Sequence, residues 1–129
     1  MTDIFFYGLF MDEGVLRAKG VEPRRGRKAV VSNYKLKIGQ RAMLSPQPSA
    51  QAYGMVYALT DSEIELLYNE PGLDMYRPEL IVATFEDGSS SELTTFNLPA
   101  DTADTGKPNL EYAAKLRLVL ERLGFPVTI

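Results

Sequence analysis

Apolar residues recur along this chain with two different spacings, and the change from one to the other marks out its elements. Ile4 to Tyr7 is an unbroken apolar run, the pattern of a strand buried on both faces. Asp12 to Lys19 is acidic at its start, basic at its end and stopped by Gly20, which predicts a short helix. Ala29 to Ile38 reads as a strand whose second half alternates Tyr34, Leu36 and Ile38 with outward lysines. Arg41 to Leu44 and Ala52 to Leu59 predict two more strands. Between them Ser45 to Ser49, with two prolines, reads as a turn, and Gly54 marks a bulge or a close backbone approach. Thr60 with Glu63 three residues on is a capping box, so a helix starts there, carries Ile64 and Leu67 on its core face and ends by Pro71-Gly72. Pro78 to Glu86 and Glu92 to Leu98 are strands linked through an Asp87-Gly88 turn. Pro99 to Gly106 is polar loop. A last helix begins near Pro108-Asn109, sets Tyr112, Leu116, Val119, Leu120 and Leu123 at helical spacing, and closes at Gly124 and Pro126.

About six strands with three helices dispersed among them define an α+β domain, and the glycines and short turns favour a curled mixed sheet or partly closed barrel. With 129 residues and no internal repeat, a single domain over 1–129 is expected. A net charge of -3 argues against nucleic acid as the main partner. The one basic cluster, Arg24-Arg25-Gly26-Arg27-Lys28, is expected to be a solvated turn. No apolar stretch approaches a membrane span and the start lacks a basic leader, so a cytoplasmic location is the default expectation.

Cysteine and histidine are both absent. Their absence excludes disulfides, thiol nucleophiles, thiolate or imidazole metal sites and every Ser-His-Asp triad. A metal would need oxygen ligands, and Asp101 with Asp104 fits no metal-binding loop. No phosphate-binding or dinucleotide fingerprint occurs, so neither metal nor organic cofactor is expected. Oligomeric state cannot be read from the pattern.

Two segments about sixty residues apart carry the candidate chemistry. Tyr7-Gly8-Leu9-Phe10 ends the first strand at a glycine, where consecutive backbone N–H groups can face an anionic ligand and glycine permits close approach and unusual dihedrals. Leu67-Tyr68-Asn69-Glu70, followed by Tyr76-Arg77, places one carboxylate at a helix end, where it can serve as a general base. With Gly54-Met55-Val56-Tyr57 and the C-terminal Pro108, Tyr112 and Gly124-Phe125-Pro126, these blocks resemble the γ-glutamylcyclotransferase-like (AIG2-like) family along nearly the whole chain. The resemblance implies a small mixed β-barrel with helices packed outside it. It also implies a cofactor-free enzyme that cyclises a γ-glutamyl amine or peptide to 5-oxoproline, releasing the free amine.

On that resemblance Glu70 is the catalytic residue, a single general acid/base whose partial burial would raise its pKa toward neutrality. The backbone of Tyr7, Gly8, Leu9 and Phe10 would hold the substrate carboxylate or the oxyanion. Arg77 would pair with a substrate carboxylate or fix the loop carrying Glu70, while Tyr76 and Tyr112 would approach the pocket. Arg41 and Tyr34 are not assigned to the site. Leu9 stands where the family usually has a hydroxyl residue, and Phe10 where asparagine or leucine is common. These departures keep open a non-catalytic module that binds a small carboxylate. A relative of the domain at the C-terminus of allophanate hydrolases is a further alternative.

Overall fold

A computed structural model describes residues 1–71, 73–98 and 109–127. The expected Pro99–Gly106 loop, Asp101, Asp104, Pro108 and Gly72 lie outside the described residues. Five strands close into a barrel: β1 (Thr2–Phe6), β2 (Arg24–Ile38), β3 (Ala42–Leu59), β4 (Arg77–Phe85) and β5 (Ser90–Asn97), in the order β1-β3-β2-β4-β5. Every pairing is antiparallel except the closing seam, where β1 meets β5 in parallel through Ile4↔Thr94 and Phe5↔Thr95. The Thr95 hydroxyl donates to the Phe5 carbonyl at 2.8 Å across that seam. Ile4, Phe5 and Phe6 are all buried, as an unbroken apolar run requires when barrel packs on one face and helices on the other.

Three helices follow the expected signals. α1 (Glu13–Ala18) is capped by the Asp12 carboxylate, which accepts from Gly14 N–H at 2.8 Å. α2 (Asp61–Tyr68) starts at the Thr60–Glu63 capping box and stops short of Pro71. α3 (Leu110–Leu123) is capped by Asn109, buries Leu116, Val119 and Leu120, and ends at Gly124 with φ +80°. Gly54 is a close-approach position, since a Cβ there would fall 2.3 Å from the Phe6 carbonyl oxygen.

Two expectations are corrected. Ser45 to Ser49 is not a turn between two strands; β3 runs through it, with Pro46 opposite Tyr34 and Ser45 opposite Lys35. β1 covers β3 only from Met55 to Leu59, so no ladder on that edge calls for the N–H groups that Pro46 and Pro48 lack. Near this point Asn33 and Ser49 both take positive φ, +67° and +68°, and Ser49 N–H donates to Asn33 Oδ1 at 3.3 Å. The register shifts there, bending the distal arm of the hairpin. The basic cluster is likewise no turn but the start of β2. Arg24 pairs with Glu63 at 2.7 Å and Arg27 with Asp3 at 2.9 Å, partners distant in sequence.

The bent arm brings Leu44 to the end of β5, where the buried Asn97 side chain substitutes for a strand. Its Oδ1 accepts from Leu44 N–H at 2.9 Å and its Nδ2 donates to the Leu44 carbonyl at 3.0 Å. This stitch carries Ala42 and Arg41 toward the mouth of the barrel.

Candidate active site

β1 leaves the barrel at Tyr7 and turns at once into a single 3-10 turn, Leu9–Met11. Gly8 sits at that turn with φ -110° and ψ -151°, an extended conformation open to any residue. The expected need for unusual dihedrals is therefore absent; what Gly8 supplies is space. A Cβ there would lie 2.7 Å from the Tyr112 hydroxyl. The same hydroxyl accepts from Leu9 N–H at 3.4 Å, a long and weak bond that leaves this donor exchangeable.

Around the turn opens a cavity of about 190 Å³. It is roughly six times the ~30 Å³ share of one liquid water and below the 300–1,000 Å³ usual for larger ligands, so it suits a group of amino-acid size. Tyr7, Gly8, Leu9 and Phe10 line it from the end of β1, Tyr76 and Glu70 from the segment after α2, and Tyr112 from α3. The structure thus brings together every expected site residue except Arg77. Arg77 instead donates from Nη1 to the carbonyls of Asp74, at 2.6 Å, and Tyr76, at 3.1 Å, fixing the segment that follows Glu70. Tyr34 lies outside as well, donating to Glu79 at 3.1 Å.

Half of the lining residues are aromatic. Tyr68 stacks on Phe96 with ring centroids 4.2 Å apart, and Phe10 meets Tyr68 edge-on at 6.2 Å. Two of the tyrosine hydroxyls are committed to the frame. Tyr7 donates to the Phe96 carbonyl at 2.8 Å and to Asn97 Oδ1 at 3.1 Å, and Tyr76 donates to the Ala42 carbonyl. Burial, reinforced by the neighbouring tyrosines, pushes the phenols of Tyr7 and Tyr68 well above the ordinary value. Burial raises that of Tyr112 too, opposed by the Leu9 N–H and the Arg41 guanidinium. These phenols remain protonated at neutral pH and serve as donors and packing surface rather than as bases.

Among the described residues Glu70 is the one carboxylate on the lining. Its side chain is 38% exposed and paired with the ammonium of Lys19 at the end of α1. The side chain is thus partly buried, as expected, and it is held in a salt bridge as well. Lys19 and Arg41 line the same cavity and were not among the expected site residues. Lys19 ends a helix whose basic last turn has a sufficient local explanation, and Arg41 belongs to a hairpin turn; neither carries a sequence signal of convergence. Among the described residues no cluster of acidic side chains could hold a metal ion, and no helix is long and apolar enough to cross a membrane.

A small closed barrel of mixed strands, with a glycine turn and one carboxylate sharing an aromatic-walled cavity at its mouth, defines the cyclotransferase-like class of fold. The chain belongs to the family described as Gamma-glutamyl cyclotransferase, AIG2-like, whose model matches residues 4–114. No curated protein matches it in sequence. Among solved structures it is similar to a Gamma-glutamyl cyclotransferase at 15% identity and TM-score 0.77, over 98% of this chain and 82% of that one. A protein from Arabidopsis thaliana is similar at 19% identity and TM-score 0.66, over 97% and 94% of the two chains. An AIG2-like protein from Mus musculus is similar at 14% identity and TM-score 0.61, over 81% of each.

Proposed function

We propose that the chain is a γ-glutamyl cyclotransferase, converting a γ-glutamyl amine or peptide to 5-oxoproline and the free amine with Glu70 as its general acid/base. The observation that carries this reading is the shared cavity: Glu70, Gly8 and Leu9 line one space of amino-acid size. The substrate's α-ammonium pairs with Glu70 in place of Lys19, one cation exchanging for another. Glu70 takes a proton, and the α-amine attacks the γ-carbonyl carbon of the same molecule. The developing oxyanion accepts from Leu9 N–H, which exchanges its long bond to Tyr112 for a charged acceptor. The carbon–nitrogen bond to the leaving amine then breaks. Glu70 relays two protons in all from the α-nitrogen to the leaving nitrogen, so the lactam keeps one hydrogen and the amine departs as ammonium. Closing a five-membered ring within one molecule needs little beyond positioning and proton transfer, which suits a site with a single titratable carboxylate.

The ion pair with Lys19 supports a second reading, a carboxylate-binding module in which the acid is held as a structural partner. Incubation with a panel of γ-glutamyl amines and dipeptides separates the two. Release of 5-oxoproline that disappears in Glu70→Gln is expected; turnover retained in that variant removes Glu70 from the mechanism, and saturable binding without product selects the module.

A further inference from the structure

Among the described residues three charged side chains line the cavity, Lys19, Arg41 and Glu70. Lys19 and Glu70 neutralise each other. Arg41 forms no ion pair among the described residues, so the lining retains one uncompensated positive charge. Its backbone is held firmly for a hairpin turn. Gly39 N–H donates to the Arg41 carbonyl at 3.0 Å, and the next carbonyl, that of Ala42, receives the Tyr76 hydroxyl. The N-cap of α3 clamps the turn from outside. Asn109 N–H donates to the Gly39 carbonyl at 2.8 Å, and Asn109 Nδ2 to that of Gln40 at 3.3 Å. The guanidinium opposes the upward shift of the Tyr112 phenol, which places it near the oxygen that meets Leu9 N–H. Arg41 therefore stands beside the glycine turn on the hairpin and α3 side, whereas the Lys19–Glu70 pair is contributed by α1 and the end of α2.

A γ-glutamyl substrate can be laid across these groups in one order. Its head carries an ammonium and a carboxylate on the same carbon, matched by Glu70 and Lys19. Its γ-carbonyl falls at Leu9 N–H. Arg41, past that donor, faces whatever follows the amide nitrogen. We propose that Arg41 is a specificity-determining residue that pairs with a free carboxylate on the amine half, so that the chain takes γ-glutamyl amino acids in preference to γ-glutamyl amines lacking one. The inference rests on the cyclotransferase reading above and deepens it. A planar guanidinium on a fixed turn suits bidentate pairing with a carboxylate, and among the described residues no ion-pair partner has to be displaced.

The test is a matched pair, γ-glutamylalanine and γ-glutamylethylamine, which differ only by the carboxylate. The native chain is expected to favour the dipeptide in kcat/KM by about tenfold, the discrimination of one charge-assisted hydrogen bond. Arg41→Gln is expected to collapse that ratio toward one, and Arg41→Lys to restore part of it. A merely structural role would lower both substrates together and leave the ratio standing, which overturns the proposal, as does a native preference for the ethylamine. If neither compound is turned over, calorimetric binding of the same pair decides. A dipeptide preference lost in Arg41→Gln sustains the role of Arg41 while the proposed reaction falls; equal binding, or binding of neither, overturns it.

Discussion

The two ends of α2 each carry a glutamate, and the two are held in opposite ways. At the start, Glu63 accepts from the Arg24 guanidinium, the backbone N–H groups of Thr60 and Glu22, and the Thr60 hydroxyl. Its desolvation pushes the pKa up, yet these donors prevail and bring it down to about 2 from the ordinary 4.5. Just past the other end, Glu70 has one ionic partner, a lysine on a flexible stem. A carboxylate held at both oxygens by fixed donors belongs to the frame. One that lines a cavity with a single exchangeable cation is open to a ligand, and the difference lies in the partners, since the residue type is the same.

The sharpest way to break this comparison is Glu70→Gln. It is expected to lower 5-oxoproline formation by about 10³-fold or more, toward the upper part of the range for general acid–base catalysis, while the thermal midpoint stays close to native; a 5-oxoproline release assay beside a melting curve reads both. Gly8→Val comes next. Its side chain would enter the space of the Tyr112 hydroxyl, 2.7 Å from where a Cβ must sit, and relieving that clash by shifting the turn would move Leu9 N–H off the oxyanion, at an expected cost of about 10²-fold in kcat. A folded Gly8→Val chain with native kcat would refute the cradle.

Glu63→Gln should do the reverse of Glu70→Gln, lowering stability by about 1–2 kcal/mol, discounted for solvent screening, with turnover kept. Because the folded carboxyl titrates at about 2 and the unfolded one near 4.5, the stability it contributes is full above the higher value. That stability is lost as the pH falls toward the lower one. Urea midpoints of the native and Glu63→Gln chains should therefore converge between pH 5 and pH 2. The smallest effect is expected from Lys19→Met, a rise in KM of about fivefold with little change in kcat, as for an exposed ion-pair partner. A fall in KM would instead show that Lys19 only competes for Glu70.

Much of this was legible in the sequence, for local reasons. The Thr60–Glu63 box, the Asn109 and Gly124 caps and the spacing of Leu116, Val119 and Leu120 are signals confined to a few neighbouring residues, and the helices follow them. What was hidden depended on distant partners. Ser45 to Ser49 has turn composition, yet pairing with Tyr34 and Lys35 makes it strand. The arginines at the start of β2 look like a solvated run until Glu63 and Asp3 arrive from elsewhere. The cavity divides along the same line. Glu70 and Gly8 stand out in conspicuous motifs, whereas Lys19 is joined to Glu70 across 51 residues and Arg41 enters only because the hairpin bends at Asn33 and Ser49.

The parallel seam has a consequence for how the molecule comes into being. Ile4 and Phe5 leave a ribosome some ninety positions before their partners Thr94 and Thr95. Until then one margin of the opening strand lacks its neighbour, and a nascent chain carries that greasy segment unshielded, where a chaperone can hold it. Ligand recognition comes later still, since the hollow is not walled until Tyr112 has emerged and swung into place.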